Sequence, residues 1–282
     1  MTKNYLKMYA KSFNWAGFFL PKKIYIKCSA LYDFCRTIDD IADQKLTLDI
    51  KIKQFKQFKD NFKNKDSNNH IIKNMHELIN DTGISKKIVY DLFDGIESDL
   101  KKEVKINSKK ELLIYSYRVA GTVGLMMAKI LEVKKQNALK AAIDLGIAMQ
   151  LTNIARDVVE DSIKNRTYIE SNFESIKSTL ILADSFYKSS FLSIRDIPIS
   201  SRFAILVARR VYRKIGNNIL SKKNIENYNN SGKIYVSNFG KFFQTLLSIY
   251  EFFALLIASP KEHSKEAEHQ IIKEEIKLNE RI

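Results

Sequence analysis

In the stretch LGIAMQLTNIARDVVEDSIKNRTY, residues 145–168, Gln150, Asn153, Asp157 and Asp161 follow one another at steps of three, four and four. On a helix that spacing places all of them on one stripe. Ile143, Leu145, Ile147, Ala148, Met149, Leu151 and Ile154 make the remaining faces of its first half apolar, so the helix is expected to be buried almost all round. Two carboxylates one turn apart repel, and a row of amides and carboxylates inside an apolar helix is costly unless something satisfies it. A hard divalent cation with oxygen ligands would do so. The chemistry these residues suggest is therefore that of a metal holding phosphate.

A partner for this stripe lies in LYDFCRTIDDIAD, residues 31–43. Asp39 and Asp43 again stand at i and i+4, with Asp40 beside them and Arg36 one turn earlier. A single pair of this kind is ordinarily a solvated helix end. Here both pairs sit on stretches too apolar for a surface. Facing each other across a bundle, they would hold Mg²⁺ ions that bridge to diphosphate oxygens. Only 10 of the 47 basic residues are Arg, and Arg36, Arg118, Arg156 and Arg166 fall in or beside these motifs. Arginine offers phosphate a planar bidentate contact where lysine offers a point charge.

The elements that must position these groups read as helices. The chain of 282 residues has only 9 Gly and 3 Pro, too few breakers for a strand-and-turn architecture, and 45% hydrophobic residues, as a globular core needs. Apolar periodicity predicts helices over about 3–20, 22–43, 48–62, 70–80 and 85–100. Ser108-Lys109-Lys110-Glu111 has capping-box form and opens a helix through YSYRVAGTVGLMMAKIL, residues 115–131. Gly121 and Gly124 each cost that helix up to about 1 kcal/mol, which suggests either close helix packing or a bend that makes room for a ligand. The acidic helix runs to about Ser162, and Arg166 and Tyr168 follow in a loop. Ser171-Asn172-Phe173-Glu174, a second capping box, opens a helix to about Arg195; Pro198 starts another to about Ser221, 224–233 is loop, and a last helix covers about 237–258. No repeat or linker interrupts this series. The expected organisation is one helical domain, residues 1–259, followed by a charged tail, 260–282, that is peripheral or partly disordered.

Other chemistries find little support. Cys28 and Cys35 share one helix face as small apolar residues, and the histidines, His70, His76, His263 and His269, form no metal motif. GxGxxG, P-loop, GxSxG and HExxH patterns are absent from the sequence. The net charge of +15 suits anionic partners, but no helix-turn-helix or aromatic-basic module accompanies it, so nucleic acid is not an expected partner. Residues 1–11 are polar and lack a signal-peptide core, which predicts a cytoplasmic protein. Residues 112–131 and 242–258 are apolar runs interrupted by charge, and both are expected as core helices; the Phe-rich second run would alternatively lie on a membrane surface.

With these residues in hand, the chain resembles the phytoene/squalene synthase family, the head-to-head prenyl synthases. The resemblance covers about residues 9–255 through KSFNWAGFFLP, LYDFCRTIDDIAD, YSYRVAGTVGLMMAKIL, DLGIAMQLTNIARDVVEDSIKNRTY and, more weakly, ARRVYRKIG. Within the family these segments look most like bacterial phytoene synthases. The resemblance implies an isoprenoid-synthase-type all-α bundle around a central cavity. It implies Asp39 and Asp43 as one Mg²⁺-binding pair and Asp157 and Asp161 as the other, with Mn²⁺ as an alternative ion. Asn153 and Gln150 would support metal and substrate. Ser12, Phe13, Arg36, Arg156, Arg166 and Tyr168 match diphosphate-pocket positions, Tyr117 a tyrosine lining the reaction cavity, and Gly121 and Gly124 the path of the prenyl tails. Ile169-Glu170 departs from the usual apolar-Pro step, as do Tyr9 and Ala10 from the more usual His or Ser.

The implied reaction joins two geranylgeranyl diphosphates into phytoene through a cyclopropylcarbinyl diphosphate. The rival within the family is a C30 product from farnesyl diphosphate: squalene, presqualene diphosphate or dehydrosqualene. NADPH is not expected, and no obligate protein partner is predicted. A non-catalytic assembly factor related to the family would be expected to lack the aspartates, and a basic helical protein of another class, bound to a membrane or nucleic acid, would show salt-sensitive binding and no Mg²⁺-dependent diphosphate release. Peripheral attachment to the inner face of the membrane would suit an enzyme with a water-insoluble product.

Overall fold

The computed structural model describes residues 11–259, 262–264 and 266–282. The first helix, α1 (Lys11–Gly17), stops short of Pro21, which supplies extended backbone in front of α2 (Lys22–Asp43). The expected helical residues before Lys11 lie outside the described residues. Leu31, Phe34, Ile38 and Ile41 recur along α2 at helical spacing and are buried. They meet α3 (Leu48–Lys63), whose buried face is Phe55, Phe58 and Phe62. The rings of Phe34, Phe62 and Phe93 approach at 5.4–5.9 Å between centroids in tilted and edge-on pairs, a rigid aromatic floor under one acidic stripe. Next come α4 (His70–Thr82) and α5 (Lys86–Glu97). The Asn69 side chain caps α4 by accepting from the Ile71 and Ile72 amides, and Gly83 closes it at φ +66°, a left-handed position that costs glycine little.

Two residues of strand follow. β1 (Val104–Lys105) pairs in parallel with β2 (Arg166–Thr167), a ladder too short to leave a period in the sequence. It fixes the backbone of Arg166 beside the acidic helices. Ser108 caps α6 (Lys109–Ser116), accepting from the Glu111 amide as the capping box predicts. The chain then widens into a π-helical turn, Tyr117–Gly121, before α7 (Thr122–Ile130). The long acidic helix is α8 (Gln136–Arg156). It does not continue unbroken to Ser162. Asp157 leaves helical geometry at φ −107°, ψ 15°, and α9 (Val158–Ile163) starts after it.

The glycines of the α7 region serve helix packing. A Cβ on Gly124 would stand 2.2 Å from the Ala142 carbonyl oxygen, and one on Gly146 would stand 2.2 Å from that of Ala120. The π turn, α7 and α8 thus touch backbone to backbone. Gly121 and Gly124 both face α8.

α10 (Phe173–Phe191) is capped by Asn172, one residue later than expected, and gives way to a 3₁₀ turn at Leu192–Asp196. α11 (Ile199–Leu220) begins at Pro198, α12 (Ile225–Asn229) forms within the expected loop, and α13 (Asn238–Ile257) closes the bundle. Residues 112–131 are core, as expected. α13 is not: its buried residues are Lys241, Gln244, Ser248 and Leu255, and most of its apolar side chains face outward.

The charged tail departs from its expected peripheral place. α14 (Ala267–Glu275) packs on α6, and His269, Ile272, Ile276 and Leu278 are buried. His263 Nε2 and His269 Nε2 both reach Asp144 Oδ2 on α8, at 2.9 and 3.1 Å, and Ser189 Oγ donates to the same oxygen. Arg281 clamps Asp91 on α5. Apolar positions spaced four apart among the charges, together with buried charge partners, dock this segment.

Candidate active site

The structure brings the two acidic stripes together at one end of the bundle. Asp39 and Asp43 come from α2, Asp157 from the break between α8 and α9, and Asp161 from α9. Asp99, just past α5, joins them, and its charge is felt at both Asp39 and Asp161. Each pair is divided in its electrostatics. Asp43 accepts from Lys164 Nζ and Arg166 Nη1, both at 2.8 Å, which hold its carboxyl below the usual range despite partial burial. Asp157 accepts from Arg156 Nε at 2.8 Å and Nη2 at 2.6 Å, and Lys233 approaches it at 3.3 Å. Asp39 and Asp161 are poorly compensated. Burial, with neighbouring carboxylates adding, pushes each up to about 7.

On the same stripe of α8 the Asn153 Oδ1 is buried and has no hydrogen-bond partner among the described residues. Gln150 stands half-buried one turn earlier. An orphaned carbonyl oxygen beside carboxylates that resist ionisation is the donor set a hard dication would satisfy. The residues fit the divalent metal that the fold family employs, with Asp39, Asp161 and Asn153 the least committed oxygens and Asp43 and Asp157 alongside.

Cations surround this cluster. Arg36 pairs with Asp40 at 2.6 Å, and Arg156 lies 5.8 Å from the centre of the Tyr235 ring. Tyr212 on α11 is an electrostatic neighbour of Arg156 and Asp157 on one side and of Tyr32 on the other, so it bridges α8 and α2. Arg118 is not part of the cluster; it lines an outer pocket with Lys101, Lys105 and Glu111. Ser12 and Phe13 sit on α1, with side chains outside the described residues, as are Tyr9 and Ala10.

Tyr168 and a tyrosine absent from the expected set, Tyr115, donate to separate oxygens of Asp99, each at 2.8 Å. Their rings stack with centroids 4.7 Å apart. Tyr117 is elsewhere. It is fully buried and donates to Asp91 Oδ2 at 2.9 Å, the carboxylate clamped by Arg281. Two residues apart on a helix, at about 100° each, Tyr115 and Tyr117 point to opposite sides, and the structure places Tyr115 at the acid cluster and Tyr117 against Asp91. Asp99 was missed because it lies past the end of α5, in a segment with no apolar helical pattern to give its spacing from Glu97 and Glu103 a meaning.

Away from the acids the same stripes turn apolar. Tyr32 and Cys35 on α2, Val119 and Val123 on the π turn and α7, and Leu145 on α8 remain only partly covered at mid-helix positions. They are apolar side chains left partly open on the helices that carry the acids or pack against them. An acid cluster rimmed by cations, with partly open apolar side chains on the same helices, suits a molecule with a diphosphate head and a hydrocarbon tail.

Comparison with known proteins agrees with this geometry. The family model described as Squalene/phytoene synthase matches residues 6–171. The chain belongs to the squalene/phytoene synthase family. It is 30% identical to the 15-cis-phytoene synthase of Pantoea ananas over 243 residues, which is 73% of this chain and 77% of that protein. It is 34% identical to a phytoene synthase of Pseudescherichia vulneris over 155 residues, 48% of this chain and half the length of that relative. Among solved structures, a dehydrosqualene synthase in complex with ligand superposes with a TM-score of 0.73 at 26% identity, covering 88% of this chain and 94% of the other. These members are prenyltransferases of the helical isoprenoid-synthase fold, and the all-α bundle expected from the sequence is the one found.

Proposed function

We propose that this protein condenses two molecules of geranylgeranyl diphosphate head to head into phytoene, through a cyclopropylcarbinyl diphosphate, in a Mg²⁺-dependent reaction of carotenoid biosynthesis. The observation that carries this reading is the meeting of both acidic stripes, with the orphaned Asn153 oxygen beside them, at one end of the bundle. The names of the bacterial relatives support phytoene as the product.

Asp39, Asp161 and Asn153, with Asp43 and Asp157, would hold the metal, which when bound supplies Lewis-acid stabilisation of charge on a departing diphosphate. The chain's own cations do related work. Arg166 and Arg156 present guanidinium groups, and Lys164 and Lys233 ammonium groups, around the position where the leaving group gains charge. Tyr115 and Tyr168 hold Asp99 in place by two hydrogen bonds, and burial keeps both phenols protonated by raising them. The partly covered apolar side chains of α2, the π turn, α7 and α8 would line the hydrocarbon tails and keep out water that would quench a carbocation.

A C30 reaction from farnesyl diphosphate is the second reading, favoured by the likeness to a dehydrosqualene synthase structure. Purified protein with Mg²⁺ and either geranylgeranyl or farnesyl diphosphate, without NADPH, separates the two when the extracted lipid is identified by mass. Phytoene from the C20 substrate is expected. A C30 product alone would move the substrate and leave the site; no product from folded protein would overturn the proposal.

A further inference from the structure

α13 is inside out. At 100° per residue, Lys241, Gln244, Ser248 and Leu255 fall on one face, and this largely polar face is the buried one. Gln244 accepts from Arg210, and Glu251 is tied to Arg209 and Arg210 on α11. Trp15 Nε1 on α1 donates to Thr245 at 2.9 Å. The opposite face is apolar and, among the described residues, uncovered: Phe239, Phe242, Phe243, Leu246, Tyr250 and Phe253 are exposed by 46–79%. The surface continues onto the end of α1, where Phe19 contacts Phe203 edge-on at 5.0 Å, Phe203 in turn contacts Phe252, and Phe18 is 75% exposed. Water is a poor neighbour for so large a contiguous apolar face.

We propose that this face docks the protein onto an anionic lipid leaflet, with α13 lying in the plane of the interface. Length and composition would let α13 span a bilayer, but its other face is committed to polar contacts with α1 and α11, so only one side is free to enter lipid. Charge selects the occupant. Glu251 is the only acidic residue on α13 and is held by two arginines. Exposed Lys22 and Lys23 follow Phe18 and Phe19, and the chain carries +15. Anionic headgroups attract such a surface, while a second copy would bring +15 against +15. The position also has a use, which rests on the lipid-substrate reading above. The segment entering α13 holds Lys233 on Asp157 and Tyr235 under Arg156. The docking face thus begins beside the acid cluster, where prenyl chains would pass between leaflet and site.

The test is sedimentation of the full chain with phosphatidylcholine vesicles, with or without half phosphatidylglycerol, alongside analytical ultracentrifugation without lipid. Co-sedimentation with the anionic vesicles is expected, falling at least tenfold in Phe239→Ser/Phe253→Ser with its circular dichroism unchanged. Lys22→Glu/Lys23→Glu should lose the preference for phosphatidylglycerol. No co-sedimentation, binding unaffected by the Phe changes, or a lipid-free dimer that the Phe changes dissociate would each overturn the proposal; the last would make the face an interface between copies. Turnover in detergent separates the two readings. Intact turnover without vesicle binding removes docking alone, and vesicle binding without product removes the proposed reaction alone.

Discussion

Arg166 Nη1 donates to Asp43 Oδ1 at 2.8 Å, joining the short strand after α9 to the last residue of α2. The two residues belong to different aspartate motifs, 123 positions apart in the chain. This bond and that of Lys164 to the other Asp43 oxygen make Asp43 the most heavily compensated acid of its pair. Replacing Arg166 by alanine removes a charged donor from the diphosphate mouth. A loss in kcat/KM of about 100-fold is expected, as for one oxyanion-stabilising donor. Stability should change by no more than about 1 kcal/mol, because Asp43 is a third exposed. Steady-state kinetics and thermal unfolding read the two effects separately.

Asp39 and Asp161 are the acids whose ionisation the fold opposes. At neutral pH their charge is a cost to the folded chain, so Asp161→Asn should leave the metal-free Tm unchanged or raise it while turnover falls by roughly two to three orders of magnitude. Asp39→Asn should behave alike. Diphosphate release and calorimetry on the same preparation check this; a variant with more than half the parent rate would remove Asp161 from the site.

Tyr115 and Tyr117, two residues apart, should respond in opposite ways to loss of the hydroxyl. Tyr115→Phe frees one oxygen of Asp99 within the acid cluster and should lower kcat about tenfold or more with little change in Tm. Tyr117→Phe leaves the buried Asp91 with one donor fewer and should cost about 1–2 kcal/mol of stability while kcat holds. Equal loss of kcat in both variants would contradict the division described here.

The clasp between the tail and α8 should be pH-dependent. Asp144 is lowered by hydrogen bonds from His263 and His269 that outweigh its burial, and His269 is raised by Asp144 with help from Glu266 and Glu268. The Asp144 contribution is present above the ordinary carboxylate value of about 3.9 and fades as pH falls through its lower folded value. The His269 contribution is complete below the ordinary imidazole value of about 6.5 and is lost as pH rises through its higher folded value. Amide exchange in residues 267–275 should therefore be slowest between these limits and quicken above neutrality. Asp144→Ala should cost about 3 kcal/mol and flatten the profile above neutrality.

The sequence by itself determined the helices and the acids. α2 matches its predicted span residue for residue, because one apolar period runs between Pro21 and the break after Asp43. The stripe from Gln150 to Asp161 was legible for the same reason: helical spacing is a local property that needs no knowledge of neighbours. Side chains governed by distant partners were not legible. Asp99 joins the site only because Tyr115 and Tyr168 converge on it from two other elements. Tyr117 lies on the other side of its helix from Tyr115, and only the packed Asp91 and Arg281 show which tyrosine meets the acids. Gly124 could have meant a bend or a contact, and the Ala142 carbonyl 2.2 Å from its absent Cβ decides for contact. The charged tail is drawn in by Asp144 and Asp91, more than a hundred residues away. The inversion of α13 has the same origin: its period marks two faces, and Arg209, Arg210 and Trp15 decide which one the protein keeps. Periodicity fixes which side chains share a face, while only the packed neighbours determine whether that face meets protein, substrate or lipid.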